Sequence, residues 1–182
     1  LQKVLDTDMD GGGLTLAALQ SARRLPELGF TFPVRDLDVT RLRSLLVDPA
    51  NGLAEPLREA ATRLEFDSLK GFLKGFIDLT FEHDGRWYIA DYKSNWLGPD
   101  ASYYGGERLL QALAGEHYYL QYLIYLVALR RFLRQRLADF QDEQLGGAFY
   151  LFLRGMPDAG VYFARPDDAL LDALDRLFEE GK

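Results

Sequence analysis

The chain has 182 residues, 48% of them hydrophobic and 13% aromatic, enough to bury a core and short enough for one domain, so a disordered chain is excluded. Its 21 Lys and Arg against 28 Asp and Glu leave a net charge of −7, which argues against a protein that holds nucleic acid by a broadly basic surface. With no cysteine, disulfides and thiolate metal sites are excluded, and a reducing, cytoplasmic setting is the simplest reading.

Residues 1–22 carry Gly11-Gly12-Gly13 and a short Leu/Ala stretch, the pattern of a frayed edge. The start at Leu1 without a signal-peptide pattern leads us to expect a piece of a longer chain. Pro26 to Val34 alternates Phe30, Phe32 and Val34 with other residues and predicts a strand. Asp38 is placed to cap a helix to about Leu46, which Asp48-Pro49-Ala50-Asn51-Gly52 ends. Phe72–Glu82 and Trp87–Ser94 predict two strands joined through His83-Asp84-Gly85-Arg86, since Asp-Gly between apolar runs is a strong hairpin signal. After a loop with Gly98, Pro99, Gly105 and Gly106, one continuous helix is expected from about Glu107 to Ala138. Within it, Leu120–Leu129 is about half the roughly 20 residues that a membrane span needs. Gly147–Leu153 and Gly160–Arg165 predict two further strands, and Pro166–Glu180 a closing acidic helix. This order fits an α/β fold, a mixed central β-sheet flanked by helices.

The hairpin concentrates the chemistry. With Asp84 and Gly85 as its loop, opposed residue numbers sum to 169, so Asp78 falls across from Asp91 and alternation puts Lys93 on their face. Like charges at the cross-strand spacing of about 4.5–5.5 Å are destabilising, and Lys93 offsets only one of them. A hard divalent cation, Mg²⁺ or Mn²⁺, held by both carboxylates would offset that repulsion. On a generic hairpin such a set is more often a solvated outer face. Here Phe76, Ile77, Leu79, Trp87, Ile89 and Tyr92 are bulky on both faces and leave little room for one. A one-residue bulge would break this register.

Gly75-Phe76-Ile77-Asp78, then Asp91-Tyr92-Lys93-Ser94-Asn95-Trp96, then Gln121-Tyr122-Leu123-Ile124-Tyr125 resemble the C-terminal nuclease domains of the RecB subunits of bacterial RecBCD enzymes (exonuclease V). Those domains belong to the restriction-endonuclease-like PD-(D/E)XK superfamily, in which an Asp ends one strand, a (D/E)-x-K triplet lies on the next and Q-x-x-x-Y follows on a helix. The resemblance runs from about Arg24 to Phe178 and includes Tyr150-Leu151-Phe152-Leu153-Arg154-Gly155. It implies a restriction-endonuclease-like core with Asp78, Asp91 and the Tyr92 backbone carbonyl as metal ligands and Lys93 as the catalytic lysine. Gln121 and Tyr125 would line the active site and contact DNA. Glu27 would match an acidic active-site residue, although Gly29 departs from the acidic-apolar-acidic pattern expected there.

The resemblance further implies a Mg²⁺-dependent DNA exonuclease and endonuclease acting during ATP-driven unwinding, in double-strand-break repair and recombination. Residues 1–182 would be a single nuclease domain, with RecC, RecD and the helicase part of its own chain as partners. The family's upstream metal-binding histidine has no match: His83 flanks the expected hairpin turn, and His117 is expected within the long helix. No phosphate-binding G-x-x-x-x-G-K-[ST] loop occurs either. A lysine among carboxylates favours an electrostatic role over a free-base role. Rival readings are a non-catalytic DNA-binding or subunit-docking module on the same fold, and a stand-alone resolvase or restriction enzyme.

Arg130, Arg131, Arg134 and Arg136 are expected on a solvated face near a helix C-terminus, with phosphates or another subunit as alternative contacts. Six acids, Asp167, Asp168, Asp172, Asp175, Glu179 and Glu180, gather in the closing segment. A domain supplied with DNA by a tethered motor needs no basic surface, so the chain alone is expected to bind DNA poorly.

Overall fold

Asp84 and Gly85 turn the chain as expected, both with positive φ (50° and 77°) in the computed structural model, which describes residues 2–66 and 69–181. The turn joins β2 (Leu69–His83) to β3 (Arg86–Lys93) in antiparallel register from His83–Arg86 to Leu79–Ala90, each pair keeping the expected sum. β1 (Arg24–Leu37), β4 (Leu145–Phe152) and β5 (Val161–Ala164) complete a five-stranded sheet in the order β1-β2-β3-β4-β5. β4 runs parallel to β3 and antiparallel to β5, so the sheet is mixed and the fold α/β. A parallel neighbour requires a long crossover, which the helices between β3 and β4 supply. Every residue of β4 is buried, as expected of a strand covered on both faces.

The helices are α1 (Gln2–Leu5), α2 (Val39–Val47), α3 (Glu55–Thr62), α4 (Gly106–Gly115), α5 (Tyr118–Arg136) and α6 (Asp168–Glu180). Asp38 caps α2 as expected, its carboxylate accepting from the Thr40 N–H at 2.6 Å. The single helix expected over 107–138 is instead two. Gly115, a poor helix former, ends α4, and His117 adopts a left-handed φ of 53° before α5. The His117 carbonyl then accepts from the Gln121 N–H and opens the second helix. Among the described residues no helix is long and apolar enough to cross a membrane.

The chain divides into two compact units, each interleaved in sequence. One comprises Leu1–Leu28, Ile77–Ala112 and Glu143–Arg165; the other comprises Gly29–Phe76, Leu113–Asp142 and Pro166–Lys182. In the first, Met9, Leu14, Leu16 and Leu19 are buried with Leu79, Phe81, Ala90, Phe149, Leu151 and Met156. This corrects the frayed-edge expectation for the N-terminal stretch. The glycine cluster is a folded turn whose N–H groups are satisfied locally: Asp8 accepts from Gly11 and Gly13, and Asp10 from Gly12 and Leu14. Short carboxylates closing such turns are a local signal, and here they deliver Leu14 and Leu16 to the core. Gly146 admits the Tyr88 ring so closely that a Cβ would meet its Cε1 at 2.3 Å, beside the register shift at Trp87 and Tyr88.

In the second unit α2 packs on α3 and α6, and α5 on α6, around Leu42, Leu46, Leu57, Leu126, Leu174 and Phe178. The arginines of α5 require a second correction. Arg130 is wholly buried, with Nη1 2.8 Å from Asp172 and Nη2 3.4 Å from Asp175. Arg131 lies 2.5 Å from Asp175 and 3.3 Å from Glu179, with its guanidinium over the Phe32 ring. Arg134 is exposed yet pairs with Asp142 at 2.6 Å, while Arg136 stays on the surface. Most of this basic cluster therefore ties α5 to the acids of α6. Removing one partner of a buried pair leaves uncompensated charge, so Arg130→Ala should cost about 3 kcal/mol in urea unfolding. A loss below about 1 kcal/mol would show that the arginine is not a structural tie.

Candidate active site

In the first unit, β2 and β3 bring Asp78, Asp91, Tyr92 and Lys93 together at the end of their ladder. Leu79–Ala90 is the last paired rung, and beyond it the Tyr92 backbone N–H donates to Asp78 Oδ2 at 2.9 Å. That bond fixes the Asp78 carboxylate beside β3. On β3 itself, residues two apart share a face, and Lys93 Nζ stands 2.5 Å from Asp91 Oδ1 with both side chains buried. The ammonium is the counter-charge that holds the buried Asp91 carboxylate.

β4 supplies what lies beneath. Asp91 is registered with Tyr150 and Lys93 with Phe152, and Lys93 Nζ stands 5.0 Å from the centroid of the Tyr150 ring. Two backbone ties hold the ends of the strands: the Leu153 N–H donates to the Lys93 carbonyl at 3.0 Å, and Arg154 Nε donates to the Ser94 carbonyl at 2.8 Å. Tyr150 and Arg154 are supporting residues that no motif spacing singles out. Their signal was the Tyr150–Gly155 string, whose placement beside β3 depends on a parallel pairing that hairpin rules do not predict.

Burial is the main cause that pushes the Asp91 carboxyl above the usual aspartate range; Lys93 opposes it, and the negative Asp78 adds to it. The Tyr92 phenol is raised chiefly by burial and secondarily by Asp78. Two carboxylates and a backbone carbonyl are hard oxygen donors, and a buried Asp91 beside a second acid, with one ammonium to set against two negative charges, fits a hard divalent cation. Among the described residues no group of three or more His, Cys, Asp or Glu side chains forms a metal cluster.

In the second unit, Gln121 and Tyr125 lie one turn apart on α5, and Gln121 Nε2 donates to the Tyr125 hydroxyl at 3.0 Å. Both line a cavity of about 320 Å³ with Phe30, Leu73, Gly75 and His117. The Phe30 ring meets Tyr125 edge-on at 5.6 Å. His117, expected inside a helix, instead occupies the break and shares a hydrogen bond with the Tyr119 hydroxyl at 3.0 Å. Burial pushes the Tyr119 hydroxyl up to about 12. Glu27 is exposed on β1 with a left-handed φ of 51°. His83 closes the hairpin ladder opposite Arg86, as its place beside the turn predicts.

This fold and these motif positions define a nuclease class: residues 13–181 match the model of the PD-(D/E)XK nuclease superfamily, and the chain belongs to it. Its curated relatives include the RecBCD enzyme subunit RecB of Escherichia coli (strain K12), 39% identical over 181 residues, which cover 96% of this chain and 15% of that protein. The same subunit of Haemophilus influenzae is 35% identical across 98% of this chain and 15% of its own length. That of Mycobacterium tuberculosis is 36% identical across 93% and 18%. The chain thus spans less than a fifth of the length of these relatives.

A carboxyl raised by burial holds its proton to higher pH, and hard-metal binding needs it ionised. Mn²⁺ affinity measured by calorimetry should therefore fall as pH is lowered through a midpoint above the ordinary aspartate value, and the Asp91 side-chain carbon should titrate there in metal-free NMR. A midpoint at or below the ordinary value would contradict the burial argument.

Proposed function

We propose that this chain is a single metal-dependent deoxyribonuclease domain, hydrolysing DNA phosphodiester bonds as part of a larger helicase-nuclease subunit. The observation that carries the reading is the convergence of Asp78, Asp91 and Lys93 at one end of the β2–β3 ladder, with Lys93 Nζ 2.5 Å from Asp91. The match to one nuclease superfamily, which runs through both compact units, supports one working domain.

Asp78, Asp91 and the Tyr92 carbonyl would hold Mg²⁺, with Mn²⁺ a possible substitute. A bound divalent cation supplies Lewis acidity toward a phosphate oxygen and a lowered pKa for its water. Lys93 supplies a fixed positive group where charge grows on the phosphate, and its anchoring by Asp91 and the Tyr150 ring means that little reorganisation is needed. Asp78, tied to the Tyr92 N–H, keeps one carboxylate oxygen in a set direction and leaves the other for a ligand. Gln121 and Tyr125 orient each other and present an amide and a hydroxyl to DNA.

By relation to the RecB subunits, we further propose action on linear duplex DNA during ATP-driven unwinding, in double-strand-break repair and recombination. RecC- and RecD-type subunits and a helicase region of the same chain would be the partners, in the cytoplasm. The identity to RecB proteins over nearly the whole chain supports this assignment.

In the full-length protein, Asp78→Ala, Asp91→Ala and Lys93→Ala should each lower Mg²⁺-dependent DNA degradation by at least about 100-fold while circular dichroism stays unchanged. Near-normal cleavage by Asp91→Ala would remove the assignment. No Mn²⁺ binding by the full-length protein in calorimetry would favour a non-catalytic module instead.

A further inference from the structure

The part of β2 within the second unit carries an alternation that the catalytic reading does not use. Lys70, Phe72, Lys74 and Phe76 are all exposed, whereas Gly71, Leu73 and Gly75 between them are half-buried. This is the period of a strand with one face open to water. Phe72 and Phe76, at 69% and 70%, are the two most exposed large hydrophobic side chains among the described residues. Single exposed aromatics are ordinary, but two on one strand face, alternating with two ammonium groups, form a pattern. Among the described residues neither lysine has an ion-pair partner.

The Phe76 ring is also supported from below. A Cβ on Gly29 of β1 would stand 3.2 Å from Phe76 Cε1, so the ring rests over bare backbone. Leu73 and Gly75 meanwhile border the cavity beside α5, and Phe30 comes within 2.7 Å of a Cβ placed on Gly75. The strand therefore packs through one set of residues and displays the other, although Lys74 also borders that cavity.

We propose that the Lys70–Phe72–Lys74–Phe76 face of β2 is a platform for single-stranded DNA, with bases stacked on the two rings and phosphates met by the two ammonium groups. The inference rests on the nuclease reading above and adds the surface on which an unwound strand is held. Rings four residues apart on a strand are separated by about 13 Å, against about 3.4 Å between successive bases of a duplex strand. Only an extended, unstacked strand can lay a base on each ring; a duplex keeps its base faces inside. Every base has a π-face, so the platform is tolerant of sequence, and the lysines give it charge complementarity that the net charge of −7 otherwise denies.

The test uses the full-length protein with an oligonucleotide bearing 5-iododeoxyuridine, irradiated in EDTA so that no cleavage intervenes, and peptide mapping of the cross-link. Cross-linking to Phe72 or Phe76, lost in Phe72→Leu/Phe76→Leu, is the expected result. In Mg²⁺ the same double variant should raise KM for single-stranded DNA at least five-fold at unchanged kcat, taking the low end of base–aromatic stacking. Lys70→Gln/Lys74→Gln should flatten the dependence of log KM on log salt by about 0.7 per lysine. An unchanged KM in the Phe variant, or cross-links confined to other segments, would overturn the proposal. So would a Phe variant with normal cleavage that no longer holds a partner chain, which would make the face a protein interface. A wild-type protein that cross-links at β2 but never cleaves DNA would uphold the platform and overturn the nuclease reading.

Discussion

Asp91 and Lys93 face each other across 2.5 Å in a place from which water is largely removed, and much of the surrounding structure follows from holding them there. Burying a carboxylate is costly, and one lysine offsets it only in part, because Asp78 brings a second negative charge to the same place. The sheet supplies the constraint. Parallel pairing of β3 with β4 sets the Tyr150 ring beside the ammonium, and the bonds from Leu153 and Arg154 fasten the ends of the strands. What remains is the negative charge of two carboxylates set against one ammonium, which a hard cation would answer.

The second unit handles its charge differently. Its acids on α6 meet arginines of α5, so Arg130 can be buried completely and the acidic closing helix can pack. The net charge of −7 is therefore not spread as a uniform repulsive surface. Part of it is matched internally by Arg130 and Arg131, and part is gathered at Asp78 and Asp91.

Local rules made the hairpin legible: Asp84-Gly85 sets the turn, the turn sets the register, and the register brings Asp78 toward Asp91 and Lys93. The Gln121–Tyr125 pair was legible for the same reason, since helical spacing alone puts them side by side. What escaped depended on partners distant in sequence. Arg130 looks like an ordinary surface residue until Asp172 and Asp175 arrive from α6, and the N-terminal segment looks frayed until Leu79 and Phe149 receive Leu14 and Leu16. The helix break at His117 escaped because one interior glycine such as Gly115 weakens a helix by only about 1 kcal/mol and does not by itself end it, and only the left-handed residue after it shows that the chain turns. α3 escaped because its eight residues are short for a periodic signal.

Asp78, Asp91 and the Tyr92 carbonyl would together form one oxygen-donor site for a divalent cation. Anomalous diffraction from crystals of the full-length protein soaked in Mn²⁺ would locate that cation. The expected result is a peak within coordination distance of both carboxylates and the carbonyl, absent in crystals of the Asp91→Ala variant. Mn²⁺ bound elsewhere, with Asp78 and Asp91 free of metal in a protein that still cleaves DNA, would contradict it.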